Sequence, residues 1–223
     1  MKRTKLKDRL LPNYTRGEEI MNTVTHIVGG GIGILVFILC LWKAFVSLNG
    51  WKFASSFVYG VSFILLYTIS SVYHALRPGT GKKVLQIIDH CAIYFFIAGT
   101  YTPILLCALR PAFPMWAWGI FLIEYGLAAL ATTLTAIDLK KYRVLSMICY
   151  IGMGWCILIA LKPLLQVMAM PGFLLLLSGG IVYTIGAILY GIGTKCRYMH
   201  SVFHLFVLAG SILQALCILL YVL

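Results

Sequence analysis

Seven long apolar stretches run along the chain, separated by short polar punctuation. They cover residues 26–48, 53–76, 84–109, 113–137, 144–161, 172–192 and 198–223. Each is long enough for a helix to cross a bilayer, which takes about 20 mainly apolar residues. The breaks carry turn and charge signals: Asn49-Gly50, residues 77–83, Arg110-Pro111, residues 138–143, Lys162-Pro163 and residues 194–197. Glycines inside the runs (Gly29, Gly30, Gly31, Gly33, Gly179, Gly180, Gly186) would weaken a helix in water but allow close helix packing in lipid. The pattern predicts an all-α integral membrane protein, a seven-transmembrane helix bundle over residues 22–223. A basic N-terminal segment, residues 1–21, precedes it, and no separate soluble domain is expected.

Composition agrees. Of 223 residues, 61% are hydrophobic and 11% charged, where a soluble domain carries roughly 25% charged. The net charge of +12 could suggest nucleic acid, but the basic residues sit between apolar runs, where they serve topology and lipid headgroups. With the N-terminus in the cytoplasm, 14 of the 18 Lys and Arg residues fall on the inner side. The remainder (Lys43, Lys52, Arg110, Lys162) fall outside. This predicts an inside N-terminus and an outside C-terminus. The N-terminal stretch reads as a basic cytoplasmic segment rather than a cleavable signal, since no small-residue cleavage site follows the first apolar run. The seven cysteines are scattered singly with no CxxC spacing, which favours apolar packing over a disulfide frame or a thiolate metal site. Trp116 and Trp118 read as interfacial belt residues.

Ionisable residues inside membrane segments are costly and mark function by default. Here they are His26, His74, Asp89, His90, Glu124, His200 and His204. All but Glu124 fall at one depth, near the cytoplasmic side of the expected bundle. His200 and His204 are four apart, so they share a helix face, the spacing by which one helix offers two imidazoles to a zinc ion. His74 can be a third ligand, leaving an open position as in catalytic zinc sites. Asp89 could orient a metal-bound water or take its proton. Ser70, one turn before His74, could donate to a carbonyl or oxyanion. Blander roles stay open. His26 and His90 suit interfacial or helix–helix contacts, Asp89 could cap the third helix, and Glu124 suits a structural carboxyl.

The pattern resembles the hemolysin III family, the bacterial branch of the progestin and adipoQ receptor superfamily. The resemblance is carried by Glu19-x-x-Asn22-x-x-x-His26, Ser70-x-x-x-His74, Asp89-His90, residues 99–103 (GTYTP) and His200-x-x-x-His204, with residues 150–155 and 180–190 adding to it. It extends from about residue 18 over nearly the whole chain. It implies a seven-helix bundle in the bacterial plasma membrane with a cytoplasmic N-terminus. It also implies zinc held by His74, His200 and His204, with Asp89 reaching the metal through water and Ser70 nearby. Members are grouped with hydrolases of lipid amides, and some are linked to membrane-fluidity homeostasis. The resemblance implies no role for Glu19, Asn22, His26, His90 or Glu124.

Three functions follow as expectations. The first is a zinc-dependent hydrolase of a lipid amide or ester, acting from the cytoplasmic leaflet with Asp89 and Ser70 as catalytic groups. The second is a sensor of bilayer state in which zinc clamps two helices. The third is a pore-forming cytolysin, which ranks last because no charged helical stripe is present to line an aqueous pore. Membrane lipids are the expected partners. Nucleic acid and soluble protein partners are not expected.

Overall fold

The computed structural model describes residues 4–193 and 196–223. Seven helices are long and apolar enough to cross a membrane: α1 (Arg16–Val46), α2 (Gly50–Ala75), α3 (Thr80–Leu109), α4 (Pro114–Ile137), α5 (Arg143–Val167), α6 (Met170–Ile192) and α7 (Met199–Val222). Short connections make successive helices antiparallel. One end of the bundle therefore collects the starts of α1, α3, α5 and α7 and the ends of α2, α4 and α6. Every histidine lies toward this end. The basic residues Lys2, Arg3 and Lys195 used for the topology expectation, and Thr194 of the last break, lie outside the described residues.

The helix α1 begins ten residues before the first apolar run. Thr15 caps it: its Oγ1 accepts from Glu18 N, and Glu18 Oε2 accepts from Thr15 N at 2.8 Å, a reciprocal capping box. His26 is therefore well inside α1 rather than at its start. Asp89 likewise sits in the tenth position of α3, whose N-cap is Gly79, so it does not cap that helix.

Helices α3, α5 and α7 each depart from regular geometry over one stretch, α7 at its end as a π-helical turn, Ile218–Val222. Pro103 has no amide hydrogen for the Gly99 carbonyl, and α3 continues as a π-helical stretch, Ile104–Leu109. In α5 the geometry tightens to a 3-10 stretch, Cys156–Ala160. Tyr101 of α3 bridges that point: its hydroxyl donates to the Gly154 carbonyl at 2.9 Å and accepts from Ile157 N at 3.1 Å. Backbone groups freed inside a membrane must find such partners.

Small residues set the closest helix contacts. A Cβ placed on Gly29 would lie 2.1 Å from the Tyr67 ring, and one on Gly33 would lie 2.6 Å from Phe63. The α1–α2 pair thus closes over stacked Phe63 and Tyr67 rings, 5.1 Å apart. Tyr67 in turn bonds Ser211 of α7 through its hydroxyl at 2.8 Å. Gly31, by contrast, faces open space. Glu124 is fully buried in α4 and neither carboxyl oxygen has a hydrogen-bond partner among the described residues. It takes no part in the histidine cluster. All seven cysteines are free.

Gly29→Ala should displace Tyr67 and break its bond to Ser211. The expected cost is that of an overpacked core, about 1–3 kcal/mol, read as a lowered unfolding temperature in detergent. Gly31→Ala, with nothing to meet, should leave that temperature unchanged.

Candidate metal centre

The site is built where α1, α2 and α7 meet. His74 closes α2, and His200 and His204 occupy the first two turns of α7. One nitrogen from each of the three rings lies within 4.8 Å of the others. His74 and His204 are buried, at 2% and 4% exposure. His74 Nε2 and His200 Nε2 stand 3.4 Å apart. That is long for a hydrogen bond. It matches the separation of two nitrogens bound at about 2.0–2.1 Å in tetrahedral geometry, roughly 3.3 Å. His200 Nδ1 and His204 Nδ1 are buried with no hydrogen-bond partner among the described residues. The donor set, all neutral-capable imidazoles, fits a borderline divalent ion such as zinc.

The orientation of His74 has a definite cause. Its Nδ1 lies 2.7 Å from Glu19 Oε2. A carboxylate only accepts, so Nδ1 carries the proton and Nε2 keeps its lone pair toward the other histidines. Ser201 donates to Asn22 Oδ1 at 2.6 Å, which turns Asn22 Nδ2 toward His74. Both that amide and Nδ1–H are donors, so their 3.4 Å approach is packing rather than a bond. Lys82, only 3% exposed, donates to Glu19 Oε1 at 2.6 Å and to the His74 and Leu76 carbonyls. One carboxylate therefore ties α1, α2 and α3 behind the ligand.

The start of α7 is fixed separately. Glu18 Oε1 accepts from Tyr198 N at 2.7 Å. Tyr198 holds a left-handed backbone conformation, φ 61°, uncommon for a residue with a side chain. Tyr14 stacks on the His200 ring, centroids 5.0 Å apart and planes 13° from parallel. Burial pushes the Tyr14 phenol well above its usual range, so it stays a proton donor.

Asp89 and Ser70 stand beside each other, both buried. Asp89 lies outside the three-histidine group. His26 packs edge-on to His204, centroids 4.0 Å apart, and neither of its ring nitrogens has a hydrogen-bond partner among the described residues. It is a neighbour of the group and not a member. His90 turns its Nδ1 to its own helix, 2.8 Å from the Gln86 carbonyl. Spacing alone gave no role to Glu19, Asn22, Lys82, Tyr14 or Ser201. For Glu19, Asn22 and His26 a signal existed: they follow one another at helical spacing on a single face of α1.

A cavity of about 940 Å³ opens from this group. His200, His204, Ser70 and Asp89 line its polar part, and Leu66, Phe96, Ile104, Ile157, Leu176 and Val207 line its apolar body. The N-terminal segment crosses its mouth. Thr4 N donates to Asp138 Oδ2 at 2.8 Å, and Lys83 donates to the Lys7 carbonyl at 2.7 Å.

Fold and site together define a seven-helix membrane protein with a buried three-histidine group at one end. The chain belongs to the haemolysin-III related family, whose model matches residues 14–215. It is 39% identical to Hemolysin-3 of Bacillus cereus over 206 residues, 92% of each chain. It is 38% identical to a Hemolysin-3 homolog of Bacillus subtilis over 210 residues, 93% of this chain and 96% of that one. The human monocyte to macrophage differentiation factor is 28% identical over 172 residues, 72% of this chain and 67% of the relative. No solved structure matches. The protein is thus a multi-pass membrane protein of bacterial type.

Any divalent ion that this group holds should bind about 10–100-fold more weakly in Glu19→Gln, the usual effect of losing a partner behind a ligand, measured by chelator competition on detergent-purified protein. The anchoring of the N-terminal segment should depend on pH. Amides of Thr4 and Lys141, with Arg9 nearby, hold the Asp138 carboxyl down to about 2. A lowered carboxyl contributes stability above its free value, near 4, and loses it as pH falls through the folded one. Hydrogen exchange at residues 4–9 should stay slow at pH 5 and rise between about pH 4 and 2. In Asp138→Asn it should be fast at pH 7.

Proposed function

We propose that the protein is a metal-dependent hydrolase cutting an amide or ester of a membrane lipid, with the histidine end of the bundle in the cytoplasmic leaflet. One observation carries the reading. Three histidine nitrogens lie within 4.8 Å of one another, and two of those histidines, His200 and His204, line a cavity of about 940 Å³ whose body is apolar. A polar reacting group at the end of an apolar chain is the ligand such a shape takes.

His74, His200 and His204 would hold the ion, zinc by donor type. When bound, it supplies Lewis acidity toward a carbonyl oxygen and toward water. The chain's own groups do the rest. Asp89 accepts the proton of the attacking water as its oxygen bonds to the acyl carbon. The same carboxyl returns that proton to the leaving nitrogen or oxygen as the acyl bond breaks. Ser70 holds Asp89 or the acyl oxygen in place. Glu19 and Lys82 keep His74 in its working tautomer, and the apolar walls keep bulk water from the acyl chain.

A second reading has its own observation. His74 is on α2 while His200 and His204 are on α7, so an ion there would clamp these helices and could report on bilayer state. The relatives' name suggests cytolysis, but the apolar cavity body is unsuited to an aqueous pore.

Metal analysis of purified protein should give about one equivalent of zinc, lost in His204→Ala. Ceramide-like and glycerolipid substrates should be turned over, and Asp89→Asn should abolish turnover by at least about 100-fold while retaining the metal. Turnover unchanged in His200→Ala would exclude the hydrolase reading. Stoichiometric zinc without turnover of any tested lipid would favour the clamp.

A further inference from the structure

Arg9 lies at the cavity mouth in the segment that crosses it. Its side chain has been drawn inside: the residue is only 8% exposed. Nη2 donates to the Ile137 carbonyl at 3.3 Å, but Nε and Nη1 are buried with no partner among the described residues. Those two atoms carry three of the five guanidinium N–H donors. A buried cation with idle donors is expensive to maintain.

The neighbouring acids do not answer for it. Asp138 is near enough to sense Arg9, yet it forms no ion pair with it, and its oxygens accept from Thr4 N and Lys141 N. Glu18 is on the cavity wall, but its oxygens are engaged by Thr15 and Tyr198 N. Asp8 is exposed. Three more cations, Lys140, Arg143 and Arg197, line the same mouth and are solvent-exposed. The mouth is thus a ring of positive charge around one buried, half-used guanidinium, above an apolar chamber.

We propose that Arg9, backed by Lys140, Arg143 and Arg197, binds a phosphate group carried by a lipid whose hydrocarbon chain occupies the cavity. The guanidinium fork matches phosphate oxygens two at a time, and several cations suit a group with up to two negative charges. This narrows the ligand to a phosphate-bearing amphiphile. It rests on the cavity being the lipid site, but it requires neither the metal nor hydrolysis.

The test uses full-length protein in neutral detergent and three probes: lysophosphatidic acid, a monoacylglycerol with the same chain, and inorganic phosphate. Lysophosphatidic acid should bind at least about tenfold more tightly than the monoacylglycerol. Arg9→Gln should erase that preference, and Arg9→Lys should keep part of it. If Arg9→Gln fails to fold, the exposed pair Arg143→Gln and Arg197→Gln should lower the preference severalfold, and more steeply at low salt. His204→Ala should still bind lysophosphatidic acid, which separates this proposal from the hydrolase reading. Competition by inorganic phosphate at equal concentration would overturn the lipid source in favour of free phosphate. Equal affinity for the two lipids in the wild type, or an undiminished preference in Arg9→Gln, would overturn the site.

Discussion

The site depends on one carboxylate placed between a histidine and a lysine. Glu19 accepts a hydrogen bond from His74 Nδ1–H through one oxygen and from the Lys82 ammonium through the other. An imidazole has two nitrogens, and its partner decides which one faces the site. Lys82 also satisfies carbonyls at the end of α2, where helix geometry leaves them without partners. Removing either ion would leave the other poorly compensated in a mostly buried place, which costs more than the pair contributes. The three helices that carry these groups are thereby held in one register at the depth where α7 presents its two histidines.

The N-terminal turns of α1 organise the other half as well. Glu18 holds the strained start of α7 through Tyr198, and Asn22 reaches Ser201 one residue beyond His200. His26 packs on His204. A polar stripe on one helix therefore touches both α2 and α7, while the opposite face of α1 carries exposed residues such as Ile27, Ile34 and Ile38 toward lipid. This division explains why α1 begins so far ahead of its apolar run. Residues 16–25 look like a polar tail in a hydropathy reading, but Glu18, Glu19 and Asn22 among them turn their side chains to α2, α3 and the start of α7.

What could be read from sequence follows the range of each interaction. Seven spans were legible because bilayer thickness imposes a length on every one of them. His200 and His204 were legible because their contact is local, one helical turn. His74 and Asp89 could be placed by depth. The bond from Glu19 to His74 crosses 55 residues and that to Lys82 crosses 63, and no local spacing encodes such pairs. Arg9 and Tyr14 escaped for a different reason. A basic tail normally lies in solvent, and only the folded chain shows that this one turns its guanidinium and its phenol inward.

The membrane setting changes what the apolar cavity can contribute. In water, burying a methylene gains about 0.8 kcal/mol, and a long chain would dominate affinity. A lipid ligand would leave a bilayer already as apolar as Leu66, Phe96 or Ile104, so moving its chain into the cavity would gain little. Discrimination among lipids must then come from the polar end, where groups leave the interface for fixed donors and acceptors. Every unsatisfied polar atom at that end is worth more than the apolar surface below it. The idle nitrogens of His200, His204 and Arg9 lie at that end, where the headgroup of a lipid ligand would arrive.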